Sequence, residues 1–148
     1  MLIQQPAVPA LNMKIIEFVN QSMGKTVGAG ECWDLAAIAL DYADAYHDRS
    51  SEKTIYIFGK EVDPEANTIY PGDIIQMKNV KLQYNKDNAI YTEHMDHHTA
   101  IVYKVNGKGD YEIAHQNTSF SGRKVGRSTL RLEDMKSGKL IFYRPISK

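Results

Sequence analysis

Apolar residues in this chain recur at helical spacing as far as Tyr46 and at a spacing of two beyond Thr54, and that change of period restricts the fold more than any other feature. Leu11, Ile15, Phe18, Val19 and Ser22 predict a short amphipathic helix, and Gly24 is placed to stop it in a left-handed C-cap. After a glycine-bearing loop over residues 25–30, Leu35, Ala36, Ala39, Leu40, Ala43 and Tyr46 mark the apolar face of a second helix running to about Tyr46. Alanines dominate that face, so the helix can lie close against a neighbouring layer. Helices first and strands afterwards favour an α+β domain, with N-terminal helices packed on one face of a mainly antiparallel β-sheet.

The strands are read from alternation and turns. Thr54 to Phe58 predicts a strand, the stretch from Gly59 to Asn67 turns the chain, and Pro71-Gly72-Asp73 launches a buried strand at Ile74-Ile75-Gln76-Met77. Lys78 to Met95 is polar, without clear period, and reads as a long loop. Thr99 to Val105 is the strongest strand signal, and Asn106-Gly107-Lys108-Gly109 turns it into a second strand from Tyr111 to Asn117. Ser119 to Gly126 reads as a loop, Leu130 to Met135 as a helical turn, and Lys139 to Tyr143 as the closing strand.

Composition narrows the function classes. Eighteen basic and eighteen acidic residues cancel, so no overall charge favours nucleic acid or an anionic membrane, and neither partner is expected. A single cysteine excludes an internal disulfide framework. Residues 1–10 lack the basic and apolar regions of a secretory signal, and no stretch approaches the roughly 20 apolar residues of a membrane span. The default compartment is the cytoplasm, with signal-independent export as the other route.

The one cysteine, Cys32, stands where Gly28-Ala29-Gly30-Glu31 runs into the second helix. A helix N-terminus carries unpaired N–H groups and a partial positive charge, which stabilise a thiolate. The plainer reading is a small core residue. Four of the five histidines, His94, His97, His98 and His115, fall in or beside the predicted hairpin. Alternation sets His98 on one face and His97 on the other, and either can be the inward one. His115 and Asn117 share a face of the partner strand, so the hairpin can set a histidine from each strand side by side. A catalytic base needs such an arrangement, one ring nitrogen facing the nucleophile and the other held by a polar partner. A metal site built from His94, Asp96, His97, His98 and His115 is the rival, weakened by the absence of a helical His-Glu-x-x-His and of a cysteine pair; no metal and no cofactor is expected.

Gly-Glu-Cys32-Trp-Asp-Leu-Ala, then Pro71-Gly-Asp-Ile-Ile, His98-Thr-Ala-Ile-Val and Ile-Ala-His115-Gln-Asn117 resemble, in order and type, the papain-like group that holds the cysteine, histidine-dependent amidohydrolase/peptidase (CHAP) domains and the NlpC-like peptidases. The resemblance spans roughly residues 25–145 and implies a catalytic set in which Cys32 is the nucleophile, His98 the base and His115 the orienting group, assisted by Asn117. CHAP domains usually carry Glu where His115 stands, and NlpC-like peptidases commonly carry His. Papain has an oxyanion-hole Gln six residues before its cysteine; Thr26 occupies that position here, leaving the Cys32 backbone N–H as first candidate donor. The wording His97-His98-Thr-Ala-Ile-Val with His115-Gln-Asn also resembles cysteine-proteinase-like domains of eukaryotic, especially fungal, adaptor proteins, a version that implies no activity.

The expected organisation is an extended lead-in over residues 1–10 and one papain-like cysteine hydrolase-type domain over residues 11–148. The expected function is a thiol-dependent amidase, peptidase or acyl transferase acting on a peptide, amide or acyl substrate. The alternative is a catalytically inactive binding or adaptor domain on the same scaffold, with a protein as partner. Trp33 is expected to pack beside the cleft, and Tyr84 and Tyr91 to line a substrate loop or cover the sheet.

Overall fold

The computed structural model describes residues 7–118 and 122–148. The first six residues of the lead-in and residues 119–121 of the Ser119 to Gly126 loop lie outside the described residues. Helix α1 spans Ala10–Ser22 and buries Asn12, Ile15, Val19 and Ser22. Helix α2 spans Cys32–Tyr42. It is shorter than the apolar period suggests because Asp44 takes a left-handed φ of 57° and the Ala45 N–H returns to the Leu40 carbonyl at 2.9 Å, which ends the helix before Tyr46. Gly24 does have a positive φ of 78°, but it lies one residue past the C-cap, Met23.

Six antiparallel strands form one sheet in the order β1-β6-β2-β3-β4-β5: β1 Lys60–Val62, β2 Ile74–Lys86, β3 Ala89–Gly107, β4 Asp110–His115, β5 Gly126–Arg131 and β6 Met135–Arg144. The expected loop from Lys78 to Met95 is instead the distal half of a long β2–β3 hairpin, paired through to Lys86 and Ala89. Asp87 and Asn88, with φ of 53° and 65°, make the two-residue turn. Thr54 to Phe58 is not a strand: Thr54–Tyr56 is a 3-10 turn, closed by reciprocal hydrogen bonds between Ser51 and Thr54 that offer the backbone a local alternative to a sheet ladder. Two strands escaped the alternation test, the three-residue β1 and β5, and the expected helical turn contracts to a 3-10 turn at Leu132–Asp134.

The sheet separates two apolar clusters. On one side Ile15 and Val19 of α1 and Leu35, Ala36, Ala39 and Leu40 of α2 pack on Ile74, Ile101, Ala114 and Ile141. On the other, Ile75, Met77, Ala100, Val102, Ile113, Leu130 and Phe142 gather with Val80 and Leu82 of the hairpin arm. Asn12 of α1, the Tyr70 N–H and Arg144 of β6 converge on the fully buried Asp73, whose carboxylate takes Arg144 Nε at 2.8 Å and Nη2 at 2.9 Å. That node fixes the start of β2 under α1 and beside the end of β6.

Candidate active site

Cys32 is the first residue of α2, half-buried at its N-terminus. The turn before it has Gly28 and Gly30 at φ of 59° and 84°, where an L side chain is strained. The helix start is closed by a reciprocal capping box between Glu31 and Asp34, and Asp34 Oδ2 also accepts the Ala29 N–H at 3.0 Å. Gln116, just past β4, stitches this turn to the sheet. Its Oε1 accepts the Val27 N–H at 3.0 Å, and its Nε2 donates to the carbonyls of Val27 at 2.8 Å and Glu31 at 2.9 Å.

The two adjacent histidines part across the sheet. His98 alternates with Ala100 and Val102 and so lies on the face of the second cluster; His97 alternates with Thr99 and Ile101 and lies on the helix side. His98 Nε2 is 2.8 Å from His115 Nδ1, and His115 Nε2 is 2.8 Å from Ser128 Oγ. Burial holds both imidazoles well below the ordinary range, His98 at about 4 and His115 at about 3, the latter also disfavoured by its neighbour His98. Both are therefore neutral at pH 7. One hydrogen joins them, and the direction of the Ser128 hydroxyl bond goes with the tautomer of both rings.

The thiol is held elsewhere. Cys32 Sγ donates to the backbone carbonyl of His97 at 3.9 Å, the hydrogen bond it makes among the described residues. The His97 ring stands edge-on to Tyr56, centroids 4.3 Å apart, and Gln76 Nε2 donates to its Nε2 at 3.2 Å, while Thr99 Oγ1 donates to Gln76 Oε1 at 2.6 Å. Burial raises the Tyr56 phenol, and the nearby Cys32 adds to the shift.

Of the residues named from sequence, the structure joins His98 to His115 and places Cys32 against the backbone of the preceding residue, His97. Asn117 takes a left-handed φ of 62° and its Nδ2 donates to Glu31 Oε2 at 3.3 Å, so it braces the turn before Cys32 and not the histidine pair. Trp33 packs against the helix-side cluster, and Tyr84 stacks on Tyr91 out on the hairpin arm. Among the described residues no three His, Cys, Asp or Glu side chains gather as metal ligands do. Gln116, which sequence alone allows as a hairpin or edge polar group, is buried and holds the turn before Cys32; Ser128 and Gln76 carry no motif, though Gln76 is a lone polar residue in the apolar run Ile74-Ile75-Gln76-Met77.

Residues 10–148 match the AIM3/BBC1 cysteine proteinase-fold domain. The chain belongs to this family. Among solved structures it is similar to Ly7917 with the hydrolyzing product of MDP, at 19% identity and a TM-score of 0.50, covering 90% of this chain and 63% of that one. It is also similar to Ly7917 alone, at 20% identity and a TM-score of 0.49, covering 89% and 62%. The chain thus spans under two thirds of the length of those structures, and at such identity the likeness is one of fold. No curated protein sequence matches it. Two N-terminal helices on a six-stranded antiparallel sheet are the cysteine proteinase-like architecture that the family description names.

Proposed function

We propose that the domain is a protein-binding module that keeps a cysteine-proteinase scaffold without using its thiol for turnover. The observation that carries this reading is the hydrogen bond of Cys32 to the His97 carbonyl. A thiol that donates to a backbone carbonyl directs its proton at a group that cannot take it, whereas a cysteine nucleophile is activated by an adjacent imidazole. The histidine pair is neutral, buried and tied to Ser128, as a core network would be. The test is alkylation of native Cys32 by iodoacetamide in wild type and His98→Ala. Rates within about twofold of each other are expected, since the thiol draws no activation from the ring. A loss of about tenfold or more in the variant overturns the reading.

A second reading, a thiol hydrolase or acyl transferase, is favoured by one feature. With His98 Nε2 committed to His115, Nδ1 is the ring nitrogen left to meet a nucleophile. In that case Cys32 turns from the carbonyl to His98, the thiolate attacks an amide or ester carbonyl, His98 protonates the leaving group, and water resolves the acyl-enzyme with His98 as base.

A further inference from the structure

Among the described residues, β3 has a neighbour on both sides only over part of its length. It pairs with β2 from Ala89 to Ile101, but β4 joins it from Ile101 onward, and β4 ends at His115 before the chain turns aside at Asn117. The orientation of the free groups follows from Val102, whose carbonyl accepts the Gly72 N–H at 2.7 Å and whose N–H donates to the Asp73 carbonyl at 2.8 Å. Val102 therefore points toward β2. By alternation so do Ala100 and His98, while His97 points to the opposite side, where β4 is absent. The Cys32 thiol on the His97 carbonyl marks that open edge, which continues back along the hairpin arm.

A cavity of about 540 Å³ runs beside the edge, lined by residues from Thr92 to His98 with His115, Asn117 and Thr118. Glu93 and Asp96 supply its charge, and among the described residues no lysine or arginine lines it; Glu93 also accepts the Tyr84 hydroxyl at 2.8 Å and faces a second cavity with Arg127 and Arg131, which pair with Glu112 and Asp110. The neighbouring Arg123 is engaged by Glu31 and the Ala29 carbonyl. Backbone donors and acceptors in a row, beside a groove wide enough for side chains, recognise extended polypeptide by strand addition. The two carboxylates select against a second copy of this chain, since antiparallel self-pairing would bring acidic edge against acidic edge.

We propose that the open edge of β3 from Thr92 to His97 binds an extended, lysine- or arginine-bearing segment of a partner protein, added to the sheet as an antiparallel or parallel strand. This rests on the binding-module reading and names the class of its partner. The bound segment would end at Cys32, whose thiol already occupies the His97 carbonyl at that end of the edge.

The experiment titrates the full chain, followed by its backbone amide resonances, with three probes: an end-blocked heptapeptide alternating lysine and valine, its glutamate counterpart, and the lysine peptide N-methylated at alternate backbone nitrogens. The lysine peptide is expected to shift the amides from Thr92 to His97 and to bind at least about tenfold tighter than either other probe. The protein variant Glu93→Lys/Asp96→Lys, both sites being exposed, is expected to reverse the charge preference. Equal binding of the methylated peptide, equal binding of the two charges, or no shift at the edge overturns the proposal. A concentration-dependent dimer that protects the same amides overturns it in favour of self-association. Cys32 alkylation in His98→Ala is independent of all these outcomes, so this inference can fail while the binding-module reading stands.

Discussion

His98 and His115 show how a short-range contact becomes a property of the whole fold. Neither ring has a carboxylate partner at the joining bond, so burial governs both, and both are held below their unfolded value near 6.5. Above that value the rings are neutral in native and unfolded chains alike, and their contribution to stability is complete. As pH falls below it, the unfolded chain takes up protons that the native pair refuses until about 4 for His98 and about 3 for His115. Stability is therefore lost with acidification through this window, at a limiting slope of about 1.4 kcal/mol per pH unit for each histidine. Urea midpoints from neutral pH down to the lower end of the window read the effect. His115→Gln is expected to make the slope shallower by about one proton; parallel slopes in variant and wild type would show that the pair does not titrate as its burial demands.

At the scale of elements, the hairpin arm bends where two strands change course together. Asn79 of β2 has φ of 50°, the β2–β6 register shifts between Lys78 and Lys81, and Gly138 of β6 has φ of 100°. A Cβ on Gly138 would lie 2.3 Å from the Asn79 carbonyl oxygen, a backbone atom that cannot swing away. Gly138→Ala should cost about 2–3 kcal/mol through strain and forced separation. Hydrogen exchange should then be fastest from Val80 to Met95, where the arm depends on the bend; uniform loosening of the sheet would contradict that account. The bend also explains why the arm was illegible in sequence. Ile74 to Met77 and Thr99 to Val105 are legible because both faces are dry over Ile74–Met77 and Thr99–Val102, which makes the runs almost wholly apolar, but past Lys78 most side chains are solvated and the bulge breaks the period. Asp87-Asn88 was the one local signal of a tight turn. The helices were legible as amphipathic stripes, the order of elements followed from the change of period, and the histidine pair followed from two strands of one hairpin. What sequence could not supply was which face carried His97 and which His98, since a single residue of register exchanges them.

At the scale of the molecule, the helix layer and the sheet meet at the mouth of the candidate site through Gln116. Its buried amide bonds both to the loop before α2, at Val27, and to the residue preceding Cys32. Asn117 reaches the same turn through Glu31, and Arg123 through Glu31 and the Ala29 carbonyl, but both are exposed and contribute less. If Gln116 sets where the thiol stands, Gln116→Ala should leave buried backbone groups of Val27 without partners and lower stability by about 2 kcal/mol or more. It should also release Cys32 from the His97 carbonyl and raise its native alkylation rate by several-fold, at protein concentrations and temperatures where the fold is intact. Gln116→Glu distinguishes position from packing. The carboxylate can still accept the Val27 N–H but cannot donate to either carbonyl, so it should raise the alkylation rate as the alanine does while keeping the side-chain volume. Faster alkylation in both variants places the thiol under the control of the sheet; a rate that follows stability alone would make Gln116 a packing residue and leave the position of Cys32 to α2 itself.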